Sequence, residues 1–248
     1  MRLKPNSGNT EAGRRERILD AAENAFADFG FDGASLRHIV LDAGVNLATV
    51  YYYFGSKEGL MSAVVERRFG PLREQHLTLL RQFERDAQGG RIPIEQVLEA
   101  MLVPPLRLAE TCPVTQQAVT RLIGRIVTEP NPQIQELVIE AHREVRVAFL
   151  AAMRRSLPDA TEADLRWRLE FTWGALALIL CNPGKLEKMT DGVCNPADTP
   201  TLLAQMLQFF GAGFRAPSPG YPTPPKRPVR KPRSTRPNTV PTKHPTDL

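Results

Sequence analysis

Apolar residues recur at helical spacing along almost the whole chain, and glycines and prolines mark where each run stops. From Arg14 to Phe29 they fall at Ile18, Ala22, Ala25, Phe26 and Phe29, and Gly30 follows where a glycine ends a helix. Ser35 is placed to cap a short second helix with a stripe at Leu36, Ile39 and Val40, and Gly44 supplies a sharp turn after it. Asn46 then caps a third short helix, on which Leu47, Val50 and Phe54 should pack inward and Ala48, Thr49, Tyr51 and Tyr52 face outward. Ser56 opens a longer helix through Leu60, Val64, Val65, Phe69 and Leu72 toward Phe83, with Pro71 expected to bend or interrupt it. After a loop at the glycine pair Gly89-Gly90, helical patterns run over Ile94–Ala109, Pro113–Thr128, Pro132–Ser156, Glu162–Asn182 and Thr199–Arg215. No strand-like alternation competes, so the pattern predicts an all-α fold of about nine helices.

The stretch from Ser35 to Lys57 reads as a helix-turn-helix followed by a phosphate clamp. An exposed face of a small residue, a hydroxyl and tyrosines suits a major groove, where methyls touch thymine and hydroxyls meet base edges or phosphates. Ser56 and Lys57 at the start of the next helix form a natural anion site. A plain helical corner would show the same turn, but not three successive tyrosines followed by a lysine.

The run RERILDAAENAFADFGFDGASLRHIVLDAGVNLATVYYYFGSKEGLMSAV, from Arg15 to Val64, resembles the N-terminal domain of the TetR family of bacterial transcriptional regulators nearly end to end. The remainder resembles the family only in helical layout and length. The resemblance implies base contacts for Leu47, Ala48, Thr49 and Tyr51, and backbone contacts for Ser35, Tyr52, Tyr53 and Lys57, on a double-stranded DNA operator. Tyr53 stands where the family usually has histidine, and Asn46 where serine is commoner; the hydroxyl and the cap are expected to serve in their place. The resemblance implies a helix-turn-helix domain over 14–60 and a C-terminal helical ligand-binding and dimerisation domain over 61–215, while composition alone marks a flexible basic arm over 1–13 and a disordered Pro-rich basic tail over 216–248, which the resemblance does not cover. The arm suits groove-following or simple solubility equally well.

Composition fits that class and excludes others. At 248 residues, 42% hydrophobic and 24% charged, the chain can bury a core for one small module and one larger one. Cys112, Cys181 and Cys194 are too scattered for a disulfide framework or zinc site, which points to a reducing, cytoplasmic setting. The four histidines have no metal-ligand spacing and read as surface or partly buried side chains, so no metal is expected. Without a Gly-rich phosphate loop, nucleophile elbow or catalytic cysteine signature, neither cofactor nor enzyme activity is expected. The start of the chain lacks the apolar segment of a signal peptide, and the longest apolar run, Ala175 to Cys181, is too short to span a bilayer. No membrane partner is expected.

The last two helices are apolar on more than one face, so they need cover on more than one side, from a core or from a partner. The resemblance implies a homodimer through these helices, with Trp173, Leu176, Leu180, Leu203, Met206 and Phe210 at the interface and the reading helices ~34 Å apart. It also implies a small-molecule effector among the middle helices. Met101, Leu106, Leu122, Phe149, Met153 and Phe171 offer an apolar lining, and Arg121 or Arg125 offers one charge for an amphipathic anion; ordinary core packing would use the same residues. The stretches AGVNLATV, GALAL and FFGAGFRA resemble fatty-acid-responsive members of the family, which favours an acyl-type effector. Past Arg215 the chain holds 10 of the 22 prolines and seven Lys or Arg against one acid, so the net charge of +5 belongs to the tail. Such a segment either adds nonspecific phosphate contacts or is passive.

Overall fold

A computed structural model describes residues 10–110, 122–126, 129–181 and 183–220. The arm over 1–9, Cys112, Arg121 and most of the basic tail lie outside the described residues. The described chain is helical, without strands: α1 Glu11–Gly33, α2 Leu36–Ala43, α3 Leu47–Phe54, α4 Lys57–Asp86 and α5 Ile94–Glu110, then α6, described over residues 122–126. It continues through α7 Pro132–Ser156, α8 Glu162–Cys181, α9 Pro183–Met189 and α10 Thr199–Arg215. The short α9 is the helix absent from the expected nine. No helix among the described residues is long and apolar enough to cross a membrane.

Two apolar cores share α4. The first gathers Ile18, Phe26 and Phe31 of α1, Ile39 of α2, Val50 of α3 and Leu60 to Phe69 of α4, and it also takes Leu122, Ile126 and Ile134 from later in the chain. The second packs the far half of α4 against α5, α7, α8 and α10 around Leu98, Met101, Leu106, Phe149 and Leu169. Both belong to one compact unit ending at Pro217. The two cores meet along one 30-residue helix, so α4 is the physical link between them.

Several elements differ from the pattern's forecast, each for a local reason. The helix expected from Arg14 starts at Glu11, because Thr10 caps it by accepting from the Gly13 N–H at 3.1 Å. Residues 11–13 of the expected arm are therefore helical. Gly30 does not end α1 but kinks it, at φ 70° and ψ −178°, and the apolar face passes from Phe29, which is exposed, to Phe31, which is buried. The long helix runs through Pro71 unbroken; Pro71 is exposed, and a Glu66–Arg73 ion pair at 2.8 Å bridges the turns around it.

Candidate nucleic-acid interface

The turn between α2 and α3 forms as its residues dictate. Gly44 takes a left-handed conformation at φ 62° and ψ 42°, which an L side chain adopts only under strain. Asn46 caps α3: its side-chain oxygen accepts from the Thr49 N–H at 2.9 Å and from the Thr49 hydroxyl at 2.8 Å. Val50 is fully buried and anchors the helix from below. Ser35 occupies the N-cap position of α2, yet its side chain makes no capping hydrogen bond, contrary to expectation.

With Val50 inward, α3 presents Ala48, Tyr51 and Tyr52 to solvent, and Tyr52 is 75% exposed. Leu47 corrects the periodicity argument: it stands at the first turn, above the core, and is exposed rather than packed with Val50 and Phe54. Thr49 is half-buried with its hydroxyl engaged by Asn46. Tyr53 is not an outward aromatic like Tyr51 and Tyr52. It packs against the first core, and its hydroxyl donates to the Glu11 carbonyl at 3.3 Å, tying α3 to the start of α1. A groove lined by Glu11, Arg14, Asn46, Ala48, Thr49, Tyr52 and Tyr53 runs between these two helices.

The start of α4 lies beside this face. Ser56 spends its side chain on its own helix, accepting from the Gly59 N–H at 3.0 Å. Lys57 is half-buried; its Nζ donates to the Asp32 carbonyl at 3.5 Å and sits 4.7 Å from the centre of the Phe31 ring. These two contacts hold the ammonium at the start of α4 instead of leaving it to search in solvent. Glu58 has its carboxyl held below the usual range by its own backbone N–H at the helix start, helped by Ser56. The close approach of α3 and α4 rests on Gly59, whose role is not announced by any motif.

A charged brace fixes α1 to α4. Glu23, buried, accepts from Arg68 Nε at 2.8 Å, while Arg67 bridges Asp20 at 2.7 Å and Glu16 at 3.2 Å. Arg17 Nε donates to the Ala43 carbonyl at 3.0 Å and ties α1 to the end of α2. These contacts tie together α1, α2 and α4, the helices that surround α3.

Away from this face the residues expected to bind an effector separate. Met101, Leu106, Phe149 and Met153 come together in the second core, whereas Leu122 belongs to the first. Arg125 is no charge inside an apolar pocket: it is exposed and donates to the Asp28 carbonyl of α1 at 3.3 Å. Phe171 is likewise no lining residue, being 59% exposed with its ring 5.7 Å from that of Trp167. The polar group the sequence reading missed is His76 of α4. It is buried between the rings of Phe149 and Trp173, both near perpendicular, with Nδ1 3.0 Å from the Ala100 carbonyl. A signal existed in Pro104: a proline has no N–H, so in α5 the Ala100 carbonyl loses its helical donor and requires another.

Of the six residues assigned to a subunit interface, Leu176 and Met206 are buried in the chain's own second core. Trp173, Leu180, Leu203 and Phe210 pack partly against it. On α8 and α10 the large apolar side chains that stay exposed are Trp167, Phe171 and Leu178, along one line of α8, and Phe209 of α10.

Residues 18–64 match the family model described as bacterial regulatory proteins, tetR family, and residues 99–213 match that of the tetracyclin repressor-like C-terminal domain. The chain is 27% identical over 180 residues to the HTH-type transcriptional repressor KstR of Rhodococcus jostii, covering 67% of this chain and 84% of that protein. It is 26% identical over 182 residues to the A-factor receptor protein of Streptomyces griseus, covering 67% of this chain and 63% of that one. Among solved structures, the fatty acid degradation regulator FadR of Bacillus halodurans superposes with a TM-score of 0.56 at 17% identity, over 80% of this chain and 98% of that chain. FadR of Bacillus subtilis, solved in complex with stearoyl-CoA, gives 0.55 at 15% identity over the same shares. At those identities the structural likeness speaks for the fold.

Proposed function

The chain belongs to the TetR family of bacterial transcriptional regulators, and from that membership we propose that it is a homodimeric repressor that grips a palindromic operator and lets go when a hydrophobic effector enters its body. The observation that carries the DNA reading is the outer face of α3, where Leu47, Ala48, Tyr51 and Tyr52 are exposed while Val50 is locked in the core. Base contacts fall to Leu47, Ala48, Thr49 and Tyr51, and phosphate contacts to Ser35, Tyr52, Tyr53 and Lys57, with Tyr53 releasing Glu11 when it engages.

Dimerisation is assigned to the line of Trp167, Phe171 and Leu178 with Phe209, since aromatic side chains left in water on two neighbouring helices gain by mutual burial. The effector is placed in the second core, whose apolar walls suit an acyl chain and whose buried imidazole supplies a polar contact. The stearoyl-CoA held by the B. subtilis regulator of the same fold supports that class.

Selection of a random duplex pool at near-physiological salt tests the reading. Full-length protein is expected to enrich one palindrome, Tyr52→Ala to bind it about tenfold or more weakly, and Lys57→Ala to reduce the salt slope by about 0.9 log unit. Addition of a long-chain acyl-CoA is expected to release the duplex. Enrichment of no palindrome, or binding lost only on removing residues 216–248, would sink the operator reading.

A further inference from the structure

The kink in α1 leaves one backbone group exposed to a choice of partner, and the body of the protein supplies it. At Gly30 the chain departs from helical geometry, so the N–H of Phe31 leaves the helical ladder. It donates instead to Oε2 of Glu129 at 3.2 Å, across 98 residues of sequence. Glu129 is buried, and its other oxygen accepts from the Asn131 N–H at 3.4 Å. The same short segment grips α1 twice more: Asn131 Nδ2 donates to Asp32 Oδ1 at 3.1 Å, and Arg125 donates to the Asp28 carbonyl. Glu129 is itself held in place by Gln135 of α7, which donates to its carbonyl at 3.2 Å.

Phe31 and Asp32 are also the two residues on which Lys57 rests, one through its ring and the other through its carbonyl. The corner 28–32 therefore has the body on one side and the DNA-facing ammonium on the other. We propose that Glu129 is a positioning residue for Lys57: by capturing the Phe31 N–H at the Gly30 kink, it sets the place of the corner on which the lysine sits. Glycine suits the kink because its φ of +70° is strained for any L side chain. A movement of α7 or of the segment before it thus reaches the phosphate contact directly, in addition to the path along α4. The effect on DNA rests on the regulator reading above; the grip on the corner does not.

The test has two arms. In the free full-length protein, hydrogen exchange of peptides covering 28–34 is expected to speed up in Glu129→Ala and to stay slow in Glu129→Gln, which keeps an acceptor oxygen for Phe31. On the palindrome selected by the parent protein, Glu129→Ala is expected to weaken binding roughly tenfold, and Lys57→Ala is then expected to cost much less in that background than in the parent. Glu129→Gln is expected to restore the full effect of Lys57→Ala. Unchanged exchange over 28–34, or fully additive losses from the two substitutions, would overturn the assignment. If Glu129→Ala does not fold, Glu129→Asp, which retains the charge but shortens the reach to Phe31, takes its place with the same two readouts. If the parent selects no palindrome, the regulator reading fails alone and the exchange arm still decides whether Glu129 holds the corner.

Discussion

Replacing Gly59 by alanine is expected to lower the unfolding free energy by about 3 kcal/mol and to abolish selective duplex binding. A Cβ built at Gly59 would lie 2.0 Å from the Phe54 carbonyl oxygen and 3.1 Å from its carbon. Both atoms are backbone, so no side chain can swing aside. Either the last turn of α3 or the first turn of α4 must move, and the Ser56 cap on the Gly59 N–H is pulled with it. The last turn of α3 also carries Tyr51 and Tyr52, so the strain falls on the presented face as well as on stability. Denaturant unfolding and duplex binding on one preparation measure both effects. Parent-like stability and affinity in Gly59→Ala would refute the close approach of α3 and α4.

Gly59 also marks the limit of what periodicity conveys. A glycine inside a helix costs roughly 1 kcal/mol against alanine, and that cost is a hint of close packing, but the sequence does not say which backbone comes near. Elements with one apolar stripe were legible: Ile39 with Leu36 and Val40, and Val50 under the reading face, lie where their spacing puts them. The body helix α8 was not, because its apolar residues surround it. Spacing could not tell that Leu176 turns into the core while Phe171 and Leu178 turn out. Arg125 misled for a related reason: among apolar neighbours it read as a charge inside a pocket, whereas its partner is a carbonyl on α1, 97 residues earlier. Gly30 looked like a helix stop because a stop and a kink share the same positive φ, and only the distant Glu129 distinguishes them.

Acidification from pH 7 to pH 5 is expected to remove about 2 kcal/mol of stability through His76 alone. Burial pushes this imidazole from its ordinary 6.5 down to about 4; the hydrogen bond to the Ala100 carbonyl opposes the shift, and the neighbouring His142 adds to it. His142 is lowered as well, first by burial, with the Val138 carbonyl opposing and the nearby Arg146 and Arg73 adding to it. The sign follows from the two states. Above about pH 6.5 the ring is neutral folded and unfolded alike, and its full packing contribution is present. Between about 6.5 and 4 the unfolded chain takes up a proton that the folded core refuses, so stability falls as pH falls. Burial imposes the neutral form and geometry selects its tautomer: a carbonyl only accepts, so Nδ1 must carry the hydrogen, and Pro104 ensures that Ala100 has no helical donor to turn to. Unfolding free energies at pH 7 and pH 5 should therefore differ by about 2 kcal/mol less in His76→Phe than in the parent, whatever that substitution does to absolute stability. An equal pH dependence in the two proteins would place the acid-sensitive group elsewhere. A reduced one would establish that the second core holds its imidazole neutral, with Nε2 an acceptor between Phe149 and Trp173, as the proposed effector site requires.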